Sequence, residues 1–158
     1  YGDYCDSLTF CFSKALGAPI GSMLLGSAEF IREAREFRKK LGGGMRQVGV
    51  IASMARTALQ SRENILEDHE KARKVYDCLI ANLNNEKIES IVYKGTNMIF
   101  LNIKNDEDPN KLLDIFYDKS INAGLIGEKS IRLVFHKDIV HTDIDKICDK
   151  LVHSSSKF

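Results

Sequence analysis

Length, composition and charge describe an ordinary globular chain. Its 158 residues, 44% hydrophobic and 28% charged, are enough to bury one core of normal size. The formal net charge of +1 argues against nucleic acid or an anionic membrane as a partner and favours a small molecule. No apolar run approaches the ~20 residues that span a bilayer, and no signal peptide opens the chain, so we expect a cytoplasmic protein.

The four cysteines are spread along the whole chain. Cys5, Cys11, Cys78 and Cys148 include no closely spaced pair of the kind that zinc sites and redox motifs use. We therefore predict no metal site, and we expect four free, buried thiols of a reducing compartment.

The first elements in chain order are two short strands, predicted at residues 7–12 and 20–25, that flank a loop carrying Lys14. A lysine that follows a strand is held at a fixed point, and small residues beside it let a planar ligand approach the backbone. Lys14 is therefore a candidate cofactor lysine, although an ordinary exposed lysine beside a turn fits this motif about as well. The turn residues are Gly17, Pro19 and Gly21.

A helix is predicted at residues 28–41, with Ser27 as its N-cap. The three glycines at positions 42–44 end it, because they lose more backbone entropy than a helix interior tolerates. Arg46 then opens an apolar helix, where backbone N–H groups and a positive side chain together can receive an anion. In the alternative interpretation the glycines only form a tight turn, and Lys39 lies on a solvated face.

The distribution of apolar residues changes along the second predicted helix. It restarts near Met45 and is rich in apolar residues to about residue 60, whereas residues 67–84 are amphipathic. One long helix that leaves a core and runs along a surface explains both halves. We therefore place a domain boundary at residues 84–85.

The remaining residues predict a small α+β unit. Pro109 suits the first turn of a helix after Asp108, and Thr142 is a candidate cap of the last helix. We expect the helices to cover one face of a mostly antiparallel sheet. The predicted strands are residues 88–93, 97–103 and 130–135, with a short one around 121–125.

Arg132 is a candidate substrate-binding residue in the last of these strands. Alternation places it on the face opposite Ile131 and Leu133. A planar guanidinium there can hold a carboxylate by two parallel hydrogen bonds. Without further information, a solvent-exposed strand arginine is the better interpretation.

Residues 8–12 form a nearly continuous apolar run, which is typical of an interior strand covered on both faces. The neighbouring strands that such a position needs are not found in the sequence. We therefore expect the chain to be the C-terminal part of a longer protein.

Four segments together resemble the low-specificity threonine aldolases, a family of pyridoxal-phosphate enzymes. The lysine segment and the glycine-rich segment lie at the spacing of that family, although Ala15 stands where glycine is commoner and Phe135 where threonine is usual. The resemblance covers nearly the whole chain. The segments read SKALGAPIGS at 13–22, RKKLGGGMRQ at 38–47, TNMIF at 96–100 and IRLVFH at 131–136.

This resemblance implies an α/β fold, the C-terminal portion of an aminotransferase-like (fold type I) protein. Residues 1–84 would end the large cofactor-binding domain, and residues 85–158 would form the small α+β domain. Lys14 would bind pyridoxal 5'-phosphate covalently and Arg132 would bind the substrate carboxylate. Arg46 would reach the cofactor phosphate of a neighbouring subunit, and Lys39 would lie near this shared site as a second substrate-binding residue. The resemblance therefore implies a homo-oligomer, a dimer or a tetramer.

The activity implied is cleavage of L-threonine and L-allo-threonine to glycine and acetaldehyde, in threonine catabolism and glycine biosynthesis. The residues that stack on the cofactor ring and pair with its nitrogen lie upstream in the family, so we expect this chain to be inactive alone. Two alternatives stay open. One is another pyridoxal-phosphate aldolase of β-hydroxy-amino acids or a β-eliminating lyase, and the other is a non-catalytic oligomerisation module.

Overall fold

The structure, a computed structural model, describes residues 2–158. The chain divides into two compact units, Tyr1–Glu63 and Asn64–Phe158. No helix among the described residues is long and apolar enough to cross a membrane.

The first unit contains a two-stranded antiparallel sheet and two helices. Strand β1 (Ser7–Cys11) pairs with β2 (Ser22–Gly26), so the second strand begins two residues later than the sequence indicates. Helix α1 spans Ala28–Lys40 and α2 spans Gly49–Gln60. The predicted N-cap of α1 is confirmed, since the Ser27 hydroxyl accepts a hydrogen bond of 3.2 Å from the Phe30 backbone N–H.

The second helix begins later than its apolar pattern predicts. Residues 46–48 form a turn rather than the first turn of α2. Gln47 has a φ of +50°, and this left-handed conformation is incompatible with a right-handed helix. Another turn, at residues 61–63, separates α2 from α3, so the single long helix that we expected is two helices.

The second unit begins with helix α3 (Asn64–Asn82) and continues as β3 (Ile88–Tyr93) and β4 (Met98–Ile103). Helix α4 (Pro109–Asp118), strands β5 (Gly124–Ile126) and β6 (Ser130–Val134), and helix α5 (Ile144–Ser156) follow. The sheet order is β3-β4-β6-β5, and every pair is antiparallel. The α+β arrangement predicted for this part of the chain is confirmed.

The core of the second unit lies between this sheet and its three helices. Alternate residues of β4 are fully buried, and helices α3, α4 and α5 contribute their apolar stripes to the same cluster. Arg132 therefore lies on the opposite, helix-free face of the sheet. Central core members are Val75, Leu79, Ile99, Leu101, Leu112, Phe116, Ile131 and Leu151.

Two details of the second unit differ from the sequence interpretation. The compact units divide after Glu63, so α3 groups with the C-terminal unit, because its buried stripe packs into that core. The assignment of residues 1–84 to a large cofactor-binding domain stays a prediction. Thr142 lies in a short 3₁₀ turn, His141–Asp143, and Asp143 is the N-cap residue of α5.

The cysteines are not four free, buried thiols, and that prediction is wrong. A disulfide joins Cys78 of α3 to Cys148 of α5, with their Cα atoms 6.5 Å apart. Cys5 and Cys11 are free, and Cys5 is exposed. The paired residues are 70 positions apart in sequence, and only the packing of α3 on α5 brings them together.

Candidate active site

Lys14 lies in a tight turn that directly follows β1. Gly17 donates its backbone N–H to the Lys14 carbonyl at 2.8 Å, and Ala18 donates to the Phe12 carbonyl at 2.9 Å. Gly17 has a φ of +74°, a conformation that favours glycine. Phe12 and Ala18 are buried whereas Lys14 is exposed, so a hydrogen-bonded, anchored turn presents the lysine outward.

The Lys14 amine is exposed and has no partner among the described residues. Within residues 2–158 its Nζ makes no hydrogen bond or ion pair. A primary amine of this kind is the group that forms a covalent bond to a carbonyl. The chemistry of this side chain therefore fits an aldehyde-bearing cofactor such as pyridoxal phosphate.

The glycine-rich loop begins as the C-terminal cap of α1. Gly42 has a φ of +80° and donates its N–H to the Lys39 carbonyl at 3.2 Å. Gly43 donates to the Arg38 carbonyl at 2.8 Å. These two bonds form the Schellman motif, in which a left-handed residue lets the chain turn back on the helix end.

The three glycines have different local roles. A Cβ on Gly43 would lie 2.9 Å from Arg38 Cγ and 3.1 Å from the Arg38 carbonyl oxygen, so Gly43 has no room for a side chain. A Cβ on Gly44 would meet only Lys39 Cγ, at the ordinary contact distance of 3.9 Å. The geometry of the helix end therefore accounts for glycine at positions 42 and 43, in agreement with the tight-turn interpretation. No contact within this chain requires glycine at position 44.

Two cations flank this loop without partners. Lys39 in the last turn of α1 and Arg46 after the glycines are both exposed. Neither side chain makes a hydrogen bond or ion pair with any residue of the described range 2–158. Both are therefore available to an anion, which fits the phosphate of the cofactor.

One open groove is lined by residues of both the lysine segment (13–22) and the glycine-rich segment (38–47). It has a volume of about 640 Å³ and lies entirely within the first unit. Gly21 borders it on one side, Gly43 and Met45 on another, and Arg38 and Arg56 add positive charge to an otherwise apolar lining. Parts of the two sequence segments assigned to cofactor binding thus border one concave surface, but Lys14, Lys39 and Arg46 are not among the residues that line it.

Arg132 lies on β6 in the second unit, half-buried and opposite Phe100 of β4 and Gly124 of β5. Its Nε is buried and has no hydrogen-bond partner. A buried donor without an acceptor is costly, by about 1–3 kcal/mol. A Cβ on Gly124, the residue opposite Arg132 on β5, would meet no atom within 4 Å, so the sheet has open space at that position.

The family comparison agrees with these local features. Residues 1–104 match the family model described as beta-eliminating lyase.

The chain belongs to the beta-eliminating lyase family.

Known proteins resemble the chain over most of its length. It is 38% identical to a low-specificity L-threonine aldolase of Candida albicans, over 93% of this chain and 38% of that protein. It is 39% identical to low-specificity L-threonine aldolase 1 of Arabidopsis thaliana, over 88% of this chain and 39% of the relative. The chain therefore spans about two fifths of the length of these relatives, and the resemblance seen in the four segments is confirmed.

Solved structures establish the fold of this beta-eliminating lyase chain. An ornithine aminotransferase from Toxoplasma gondii, crystallised with partial occupancy of PLP at its active site, matches 96% of this chain and 36% of its own. The TM-score is 0.72 at 18% sequence identity. The aminotransferase-like α/β fold class predicted from sequence is confirmed.

The structure places the predicted site residues of this family member in both units. Lys14, Lys39 and Arg46 belong to the first unit and Arg132 to the second. The sequence interpretation missed Gln47, whose left-handed backbone sets the course of the loop beside Arg46. No local signal marks it, because glutamine is not a residue type that favours this conformation.

Proposed function

We propose that the complete protein is a pyridoxal-phosphate-dependent lyase that cleaves L-threonine and L-allo-threonine to glycine and acetaldehyde. Family membership and the names of the relatives support this assignment. The observation that carries it is the position of Lys14, an unpartnered amine on a hydrogen-bonded turn directly after β1.

The first unit supplies the residues that would hold the cofactor. When bound, pyridoxal phosphate provides an electron sink for the charge left at the substrate's α-carbon. Lys14 would hold it covalently through Nζ, and the hydrogen-bonded turn fixes the backbone from which this side chain extends. Arg46 would bind the phosphate by charge-assisted hydrogen bonds, and Lys39 would contribute to substrate binding.

The second unit supplies Arg132 for the substrate carboxylate. Its unpartnered Nε and the neighbouring terminal nitrogen can donate two parallel hydrogen bonds to the two oxygens of a carboxylate. This contact would satisfy the buried donor and fix the amino acid in one orientation. It would thereby select which bond of the substrate is aligned for cleavage.

The assembly that we propose is a homo-oligomer, a dimer or a tetramer, in which Arg46 serves the site of a neighbouring subunit. The support is that Arg46 is exposed and finds no acceptor among residues 2–158 of its own chain. The cytoplasmic location and the role in glycine biosynthesis stay predictions.

Borohydride reduction followed by peptide mapping tests the proposal. The complete protein is incubated with pyridoxal phosphate, reduced and digested, and we expect the cofactor on Lys14. Lys14→Ala should lose both the label and the visible absorbance of the lysine-bound cofactor, whereas Lys40→Ala, which alters another exposed lysine, should keep both. A label on a different lysine, or no label, contradicts the assignment and favours a non-catalytic module.

The family match itself favours a second candidate, a β-eliminating lyase. The two reactions give different products from threonine. Aldol cleavage releases acetaldehyde and glycine, whereas β-elimination releases ammonia and a 2-oxo acid. Product analysis of the complete protein with L-threonine separates them, and ammonia without acetaldehyde would contradict the aldolase proposal.

A further inference from the structure

We propose that Gln47 is a positioning residue, whose left-handed backbone directs Arg46 toward the cofactor phosphate. This inference rests on the role given to Arg46 under the proposed function. It concerns the backbone of Gln47 and not a contact made by its side chain.

The loop that carries Arg46 is held at both ends. At its start, the Schellman bonds of Gly42 and Gly43 fix the chain to the end of α1. At its end, the carbonyls of Gln47 and Val48 accept the first hydrogen bonds of α2, from Val50 at 3.4 Å and Ala52 at 2.9 Å. The direction in which Arg46 leaves the backbone is therefore set by the few residues between these anchors.

Gln47 stands out among these residues. Its φ is +50°, where a residue with a Cβ is disfavoured. Glycine would adopt this conformation without steric cost, and the chain has glycine nearby at positions 42–44 and 49 but not here. The Gln47 side chain is exposed and makes no hydrogen bond with any residue in the range 2–158, so no contact of its own compensates for the strain.

The other described non-glycine residue with a left-handed backbone has a local explanation. Ser120, with a φ of +59°, follows α4 and completes a Schellman motif: it donates to the Tyr117 carbonyl at 2.9 Å, and Ile121 donates to the Phe116 carbonyl at 2.9 Å. Gln47 precedes a helix instead, so capping does not account for it. Strain of this kind persists where surrounding structure imposes it, commonly at ligand-binding positions.

The consequence of this conformation is visible in the course of the chain. The apolar pattern predicts a helix that runs back to residue 45, which would place Arg46 in the first turn of that helix. The left-handed residue stops α2 at Gly49 and leaves Arg46 on an exposed loop with an unpartnered guanidinium. The strained backbone is thus what separates Arg46 from the helix.

Three variants of the complete protein test the backbone role, with the dissociation constant for pyridoxal phosphate as the readout. Glycine and asparagine tolerate the left-handed conformation, so Gln47→Gly and Gln47→Asn should have dissociation constants within about threefold of the wild-type value. Gln47→Val disfavours it and should weaken binding by about tenfold. The matched control is Gln60→Val, the same exchange at an exposed helical position, which should leave the affinity unchanged.

Two further measurements distinguish positioning of Arg46 from a general structural role. Pyridoxal lacks the phosphate, so Gln47→Val should leave its binding unchanged while weakening that of pyridoxal phosphate. In an Arg46→Ala background, Gln47→Val should cause no further loss, because Gln47 acts through Arg46.

The outcomes separate this inference from the proposed function. If wild type binds the cofactor and Gln47→Val binds it equally well, the inference is wrong and the proposed function stands. Equal losses of cofactor affinity in the glycine, asparagine and valine variants would show that the glutamine side chain itself contacts the cofactor, which contradicts a backbone role. A full additional loss caused by Gln47→Val in the Arg46→Ala background would exclude action through Arg46. If wild type binds no pyridoxal phosphate, the proposed function fails and the inference fails with it.

Discussion

The two compact units of the chain differ in how completely they bury their apolar side chains. The second unit encloses its core between a four-stranded sheet and three helices, and residues such as Phe116 are 0% exposed. Among its described residues, 2–63, the first unit has four buried hydrophobic residues, Phe12, Ala18, Ala55 and Ala58, and its strand residues Leu24 and Leu25 are 42% and 45% exposed. The second unit thus encloses a large apolar core, whereas the first unit leaves apolar strand residues exposed.

This contrast also separates the chemistry. The residues proposed to bind the cofactor lie on the incompletely buried unit, where exposed cations and an open groove are available to groups outside this chain. Arg132 lies on the well-packed unit, where burial leaves its Nε without an acceptor. In the proposed function, the second unit would orient the substrate through Arg132, and the exposed cations of the first unit would bind the cofactor.

Core truncation should give the largest difference between the units. Phe116→Ala removes a fully buried ring and should lower the free energy of unfolding by about 3–5 kcal/mol. Leu25→Ala in β2 removes a side chain that is already half-exposed to water. It should change the free energy of unfolding by no more than about 0.5 kcal/mol. Urea denaturation measures both. Similar losses in the two variants would show that the first unit is packed as well as the second.

The disulfide should contribute stability to the second unit alone. Because it joins residues 70 positions apart, it restricts the unfolded chain, and its reduction should lower the free energy of unfolding by about 2–4 kcal/mol. Urea denaturation with and without reductant measures the difference. Cys78→Ser should abolish the effect of reductant, whereas Cys5→Ser should keep it. Separate alkylation of Cys78 and Cys148 in the unreduced protein would contradict the disulfide.

Arg132 provides a functional test of the well-packed unit. In the complete enzyme, Arg132→Ala should raise KM for threonine by about 30-fold, since a hydrogen-bonded charged contact contributes about 2 kcal/mol. The visible absorbance of the bound cofactor should be unchanged, because the first unit holds it. Arg132→Lys keeps the charge but not the paired geometry, and should recover only part of the affinity. Loss of the cofactor absorbance in Arg132→Ala would contradict the substrate role.

The glycine loop offers a matched pair within the first unit. Gly43→Ala places a Cβ 2.9 Å from Arg38 Cγ and should destabilise the chain by about 1 kcal/mol or more. Gly44→Ala has room for its methyl group in this chain and should change the free energy of unfolding by less than about 0.5 kcal/mol. Thermal denaturation compares them. Equal destabilisation would mean that Gly44 also has a role in the helix end.

The sequence predicts most of what is local in this molecule. Period-two alternation places Arg132 on the face opposite Ile131 and Leu133, and the serine before α1 caps it as expected. The lysine turn is likewise indicated by its own glycines and proline. These features depend on neighbours a few residues away, so residue type and spacing are sufficient to predict them.

Features that depend on packing were not predicted. The disulfide and the grouping of α3 with the second unit result from contacts between distant segments. The break in front of α2 depends on one strained residue, Gln47, in a segment whose composition favours a helix. Within the candidate site, the roles of the lysine and arginines stay predictions from the sequence, whereas the conformation that presents Arg46 is visible only in the structure.

The smallest expected effect is a pH dependence that belongs to the second unit. The N-cap of α4 is Asp108, whose carboxylate accepts hydrogen bonds from the Asn110 backbone N–H at 3.0 Å and the Asn110 side chain at 2.9 Å. These bonds, the backbone one first, lower the pKa of Asp108 below its ordinary value of 3.8. The first unit caps α1 with the Ser27 hydroxyl instead, which does not titrate in this range.

The sign follows from proton linkage. A carboxyl whose pKa is lower in the folded state contributes stability above the unfolded value of 3.8, and this contribution is lost as the pH falls through the folded pKa. Asp108→Asn keeps a good N-cap without a titrating group, so the melting temperature of wild type should fall slightly more than that of the variant between about pH 5 and pH 2. Because the carboxylate is exposed, the difference will be small, and parallel curves for the two proteins would show that this cap contributes no pH dependence to the second unit.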